Sequence, residues 1–230
     1  MKKEITDSVR NKKKKVEKYH TETFEKISDS KRKTILEAAV IEFSSKGFNA
    51  ANINIIAKNA GISIGSMYQY FDSKENLFLT AIDDGYRIIE HSLSEIDLIN
   101  GTIFDKLEEI IKHIQKYSRE FSLLNQLYLE ATTQGMAEMS KKLSLKMETV
   151  SSKFYKAALT SALNEGTLDP EISIETASFC IDNILLLLQF SYSTEYYKER
   201  MKIFAGKSSL SHDEKIRKEI VYFLKKALSK

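Results

Sequence analysis

Three residues with small or amide-bearing side chains, Gly65, Ser66 and Gln69, are spaced so that a helix would gather them into one polar strip, with Tyr68 and Tyr70 on either side of it. At about 100° of rotation per residue, Ile64, Met67 and Phe71 collect on the opposite side. The chemistry such a strip offers is recognition of a polar, grooved surface. A glutamine amide can form two hydrogen bonds to an adenine edge in a DNA major groove, worth about 1–3 kcal/mol of discrimination. Tyrosine hydroxyls can hydrogen-bond phosphate oxygens, which set register without reading sequence. Glycine and serine let the backbone come close. The alternative for Tyr68 and Tyr70 is an ordinary amphipathic surface.

Such a strip must be held outward by what surrounds it. Residues 53–71 divide into two short helices joined at Gly61, where a positive φ costs least for glycine. Asn52 is a good N-cap for the first and Ser63 for the second, and Ile53, Ile56, Ala57 and Ala60 supply an inner stripe. Two short helices with a tight turn describe a helix-turn-helix, whose second helix enters the major groove. Upstream, Leu36, Ala39, Val40 and Phe43 repeat at helical spacing, predicting a helix from about Ser30 to Lys46 that Gly47 ends in a left-handed cap, with Phe48 folding back. Lys31, Arg32 and Lys33 stand in its first turn, where the helix dipole disfavours cations, so a phosphate partner is expected, or else simple solvation. Downstream, Asp72 and Glu75 read as a capping box opening a long helix with Leu77, Phe78, Ala81, Ile82, Ile88 and Ile89 inside.

Composition narrows the classes. The 230 residues include one proline, eight glycines and one cysteine, which fits an all-helical chain with short connections and no internal disulfide. The longest apolar run, Ile184 to Leu188, is far below the roughly 20 residues of a membrane span, so a cytoplasmic protein with no membrane partner is expected. The net charge of +3 is unevenly placed: residues 1–33 hold 12 Lys and Arg against 6 Asp and Glu. The Lys12–Lys15 run can follow phosphates or a minor groove as an arm, or remain a solvated tail. His20, His91, His113 and His212 are scattered without metal spacing, and Cys180 sits in an apolar stretch, expected to be buried and inert. No nucleophile–base set or phosphate-binding glycine loop appears. No catalytic residue, metal site or cofactor is therefore expected, and the chain is not read as an enzyme.

Beyond residue 100, amphipathic stretches at 103–117, 120–134, 138–164, 172–190 and 213–228 predict a helical bundle, with a further segment at 192–206 ending near Gly206 and a capping box at Ser211 and Glu214.

The run from Arg32 to Ala81 resembles the N-terminal domain of the TetR (tetracycline-repressor) family of bacterial transcription regulators. The matching pieces are Ile35-Leu36-Glu37-Ala38-Ala39, Lys46-Gly47-Phe48, Ile56-Ala57, Ala60-Gly61-Ile62-Ser63, Gly65-Ser66-Met67-Tyr68-Gln69-Tyr70-Phe71 and Ser73-Lys74-Glu75-Asn76-Leu77-Phe78. Asn52 departs from the threonine usual there but keeps the capping chemistry. The resemblance implies an all-α fold: a basic extension at 1–28, a DNA-binding domain at 29–90 with its helix-turn-helix at 52–71, and a helical effector-binding and dimerisation domain at 91–230. By position it assigns Gly65, Ser66 and Gln69 to bases and Asn52, Tyr68, Tyr70 and Lys74 to phosphates, with Ser63 capping the recognition helix at the same interface. It further implies a homodimer on a double-stranded DNA operator, probed by a small-molecule effector.

Aromatic and methionine residues between 104 and 155, among them Phe104, Tyr117, Phe121, Tyr128, Met136, Met139, Met147, Phe154 and Tyr155, form either a plain core or an effector cavity. Few charges are interleaved with them, favouring a neutral or lipid-like ligand. The helix containing Leu185 and Leu188 is apolar all round; with Ile216, Ile220, Phe223 and Leu224 of the last helix it is the expected dimer seam. The chain is thus expected to be a repressor released from DNA by an apolar or amphipathic ligand. The competing expectation is a DNA-structuring or adaptor protein of the same fold that answers to a protein partner.

Overall fold

The structure, a computed structural model, describes residues 18–93, 100–133 and 137–230, with the side chains of 89–93, 133, 137–139, 142–143 and 146–147 outside the description. The Lys12–Lys15 run and the side chains of Ile89, His91, Met136, Met139 and Met147 therefore lie outside it. The described residues are helical throughout, without a strand. The helices are α1 (Glu22–Lys26), α2 (Asp29–Ala50), α3 (Ile53–Asn59), α4 (Ile64–Tyr70), α5 (Lys74–Leu93), α6 (Ile103–Glu120), α7 (Ser122–Thr133), α8 (Ala137–Asn164), α9 (Ile174–Ser193), α10 (Glu195–Ala205) and α11 (Asp213–Leu228), with a 3₁₀ turn at Ser209–Ser211. The all-α fold and the order of helices agree with the sequence reading, and the ambiguous segment before Gly206 is a helix that ends there at φ 96°.

Two compact units emerge. The first holds the residues up to Ala39 together with Ile53–Ala81; the second holds Val40–Asn52 and Ile82–Lys230. Helices α2 and α5 each belong to both. In the first unit Ile35, Leu36, Ala39, Ile56, Ala57, Met67, Phe71, Leu77 and Phe78 are buried. Residues of the stripes foreseen for α2, α3, α4 and α5 are thus buried in this unit.

In the second unit, α2 breaks at Gly47, whose φ of 73° and ψ of 162° lie outside the left-handed helical well. The glycine is needed there for a second reason. A Cβ would stand 2.8 Å from Glu130 Oε1, the same oxygen that accepts the Phe48 N–H at 3.1 Å. Nearby, the buried Glu42 carboxylate accepts the Asn52 N–H at 3.1 Å, fixing the chain just before α3.

The larger core lies among α6, α8, α9 and α11, with Leu107, Ile111, Leu159, Ile181 and Leu185 inside. Helix α9 alone among the described residues is long and apolar enough to cross a membrane. Its packing against α6, α7, α8 and α10 accounts for that apolarity. Helix α6 opens on a reciprocal cap: Thr102 Oγ1 accepts the Asp105 N–H, and the Thr102 N–H donates to Asp105 Oδ2 at 2.8 Å. Thr102 holds the Asp105 carboxyl below its usual range.

One polar knot crosses this core. The buried Gln115 amide donates to Tyr192 Oη at 3.0 Å and to the Asp213 carbonyl at 2.8 Å, and its oxygen accepts from Arg217 at 3.2 Å. Arg119 grips Asp213 with two hydrogen bonds of 2.8 and 2.7 Å and lies over the Tyr192 ring. The knot ties the start of α11 to α6. Since it is the buried amide whose loss strands partners, Gln115→Leu is expected to lower unfolding free energy by about 1–3 kcal/mol. Breaking the exposed Lys112–Glu109 pair with Lys112→Ala should change it by less than about 0.5 kcal/mol. Urea titration of both variants measures the contrast, and equal effects would deny the knot its role.

Candidate nucleic-acid interface

The supporting helix α3 buries Ile56 and Ala57, and the chain turns at Gly61 with φ 66°. The Ile62 N–H returns to the Ala57 carbonyl at 3.0 Å, closing α3. Ser63 then starts α4: its Oγ accepts the Ser66 N–H at 3.0 Å and lies 2.9 Å from Ser66 Oγ. Only seven residues long, α4 is too short to hold its own shape in water. Its orientation comes from Met67 and Tyr70, buried within it, and from Phe71 just beyond. Gly65, Tyr68 and Gln69 are left exposed, with Ser66 half-buried beside them.

Most of the expected contact residues thus share one outward region. Asn52 and Ser63 are exposed, Lys74 is half-buried in the first turn of α5, and Tyr68 is 56% exposed. At Gly65 an added Cβ would meet only Ser63 Oγ, at 3.8 Å, so the fold itself does not demand glycine at this position.

Several expectations need correction. Tyr70 is only 5% exposed: its ring sits 5.8 Å from Phe24 and forms part of the core rather than a flank of the strip. Ile64, assigned inward by the wheel, is 39% exposed, because a first-turn residue precedes the level at which the helix is packed. The cations opening α2 do not wait for phosphates. Arg32 pairs with Asp29 and donates to the Glu25 carbonyl at 2.9 Å, Lys33 lies 3.8 Å from Glu37, and Lys31 stands over the Tyr70 ring. Capping of α5 falls to Ser73, whose Oγ accepts the Asn76 N–H at 3.1 Å, instead of Asp72. Nor does Ser211 cap α11; it lies in the 3₁₀ turn, and Glu214 pairs with Lys218.

Residues 18–28, expected within a basic extension, are a structural element. Thr21 donates its N–H to the Tyr70 carbonyl at 3.0 Å and its hydroxyl to the Gln69 carbonyl at 2.7 Å. Phe24, from α1, is buried 4.7 Å from Phe71. This segment stitches down the C-terminal end of α4. The sequence signal for it was slight: one phenylalanine with acids at the start of a five-residue helix.

The effector candidates do not form one cluster. Phe104 lies in the main core near Lys225, whereas Tyr117 stacks on Phe121 at 5.8 Å. Phe154 meets Tyr155 at 5.4 Å, and Met147 lies outside the described side chains. Tyr128 donates its hydroxyl to Glu148 Oε1 at 2.6 Å and stacks near Phe190. Glu148 and Asp182, which the sequence reading passed over, are partly buried beside these tyrosines. Burial raises the hydroxyl pKa of both Tyr128 and Tyr155, and also the Asp182 carboxyl, with Glu148 adding to each shift.

The residues expected at a dimer seam divide between the core and the surface. Leu185, Leu188, Ile216 and Leu224 are consumed by the core of a single chain, and Ile220 packs against it. What faces outward on α9 and α11 is Phe179, Tyr222 and Phe223, the last 62% exposed. Cys180 is exposed beside Phe179 instead of buried. Among the described residues no three His, Cys, Asp or Glu side chains group where they could hold a metal ion.

Comparison with known proteins bears on the same residues. The sequence model of "Bacterial regulatory proteins, tetR family" matches residues 35–81, the segment containing α3, α4 and the start of α5. The transcriptional repressor KstR of Mycolicibacterium smegmatis is 26% identical over 101 residues, 44% of this chain and 50% of that protein. The chain thus spans half the length of this curated relative. A TetR family regulator from Chloroflexus aurantiacus superposes with a TM-score of 0.68 at 20% identity, covering 92% of this chain and 99% of that one. The regulator FadR of Bacillus subtilis, in complex with stearoyl-CoA, gives 0.64 at 19% identity, covering 82% and 97%. Those two likenesses establish the fold, and the family match falls on the helix-turn-helix. Residues 35–81 thus carry the helix-turn-helix segment that is similar to the tetR family of bacterial regulatory proteins.

Proposed function

We propose that this protein is a dimeric, sequence-specific DNA-binding regulator of transcription, acting as a repressor that a small ligand releases from its operator. The observation that carries the reading is the outward strip of α4, Gly65, Ser66 and Gln69 with Tyr68 beside it, on a helix anchored by Met67 and Phe71. In this reading α4 enters a major groove, Gln69 reads a base edge, and Asn52, Ser63, Tyr68 and Lys74 hold phosphates. Tyr70 plays its part from inside the core, by fixing the end of α4.

Two copies would place two such helices in successive major grooves, roughly 34–36 Å apart. The outward faces of α9 and α11, with Phe179, Tyr222 and Phe223, supply the apolar surface for pairing. Ligand control would act through α5 and α2, the helices shared by both units, and requires a coupling of about 1–3 kcal/mol between ligand and DNA. FadR, solved in complex with stearoyl-CoA, supports a small ligand for a protein of this fold.

Duplexes selected from a random pool supply the operator for the following tests. Gln69→Ala should relax preference at one base pair per half-site, whereas Tyr68→Phe should weaken all sequences alike. Gly65→Ala should leave the melting temperature within about a degree, because the added methyl would make only an ordinary contact with Ser63 Oγ, yet weaken DNA binding on the order of tenfold through loss of close approach. Full binding by all three variants would sink the interface assignment. Phe223→Glu should shift the sedimenting species from dimer to monomer and take operator affinity with it; a dimer that persists places the seam elsewhere.

A further inference from the structure

Helix α4 ends without the closure that helices commonly use. Its last turn leaves backbone carbonyls that no N–H of the helix can reach. A glycine in the left-handed region just beyond the end often turns the chain back to satisfy them. Here Phe71 follows in extended conformation, at φ −137° and ψ 123°, and returns its own N–H to the Met67 carbonyl. The carbonyls of Gln69 and Tyr70 are served from outside the helix-turn-helix. Thr21 donates its hydroxyl to the first at 2.7 Å and its N–H to the second at 3.0 Å.

Thr21 is diverted from its usual task to do this. It stands at the N-cap of α1, where a threonine hydroxyl ordinarily accepts an N–H of the first turn. That bond is not made, and the hydroxyl is committed to α4 instead of to its own helix. Buried Phe24 sets the spacing between the two helices, with its ring 5.8 Å from Tyr70 and 4.7 Å from Phe71. Two successive carbonyls held by one residue fix the planar peptide units after Gln69 and after Tyr70. The direction in which the Gln69 side chain leaves the helix is thereby fixed as well. A reading side chain must be held within about 0.5 Å of its productive place, which depends on the hydrogen bonds behind it.

We infer that Thr21 is a positioning residue for base readout: it acts through Gln69, so the sequence preference of α4 depends on a segment outside residues 35–81, which carry the family likeness. The inference rests on the reading of α4 as the helix that enters the major groove. Asn52 and Lys74, the phosphate contacts of that reading, stand on other segments and are not held by the Thr21 bonds. Loss of the hydroxyl should therefore be felt in discrimination between bases, and not as a uniform loss of affinity.

The test titrates variants of the full-length chain with the duplex selected from a random pool and with each of its single base-pair changes. Thr21→Val keeps the shape and the N–H but removes the hydroxyl. Because that hydroxyl bond is exposed, water replaces it, and the variant should melt within a few degrees of the unmodified protein. At the base pair where Gln69→Ala relaxes preference, Thr21→Val should reduce discrimination about threefold or more. Thr21→Ser, which restores the donor, should discriminate fully, as should Thr23→Val, the same change at an exposed position of α1. Added to Gln69→Ala, Thr21→Val should have no further effect, since the group it positions is gone. Equal weakening on all duplexes, an additive effect in the double variant, undiminished discrimination by Thr21→Val, or lost discrimination in either control overturns the inference and leaves the reading of α4 standing. If Gln69→Ala itself keeps every preference, the reading of α4 fails and the positioning role fails with it.

Discussion

Burial of Met67, Tyr70 and Phe71 on one side of a seven-residue helix is the constraint from which the rest of the interface follows. A helix of that length has no stable existence in water by itself. Its direction is set by the few side chains it can bury, each worth about 1.5–3 kcal/mol. With that side committed, Gly65, Tyr68 and Gln69 have nowhere to go but outward. The Ser63 cap fixes where the helix begins, and the Thr21 bonds to the carbonyls of Gln69 and Tyr70 fix where it stops. Both ends and one face are therefore determined before any partner arrives. That is what preorganised recognition requires, because ordering the helix on contact would cost binding energy.

The legible part of this was the part written in short-range pattern. Ile56, Ala57 and Ala60 repeat at helical spacing, Gly61 marks a turn, Ser63 precedes a helix, and all behave accordingly. The misreadings share a cause. Tyr70 was placed on the strip because a wheel counts only its own helix; α1, forty-odd residues upstream, covers it with Phe24. Arg32 was expected to need a phosphate because Asp29, at the preceding turn, and the Glu25 carbonyl were not counted as its partners. Leu185 and Ile216 are apolar enough for an interface, yet the same apolarity serves an internal core, and only the packing of α6 between α9 and α11 decides which. Apolar pattern shows that a face is buried and leaves open against what.

The helical domain poses the complementary problem. Glu148 and Asp182 are unremarkable in the sequence, each one of several polar residues in its helix. Their surroundings come from three helices converging, which leaves both partly buried, with Glu148 accepting the Tyr128 hydroxyl. By contrast, the Gln115 knot between α6 and α11 satisfies every group it buries. That closure is what lets a buried polar cluster fix structure.

The most direct measurement of the central claim is hydroxyl-radical footprinting of side chains, with and without a duplex enriched from a random pool. The account predicts that Tyr68 loses reactivity on binding, that Tyr70 is unreactive in both states, and that the outward Tyr196 of the helical domain is unchanged. Protection that spares Tyr68 and falls elsewhere would contradict it, because the duplex would then be meeting a surface other than the one α4 presents.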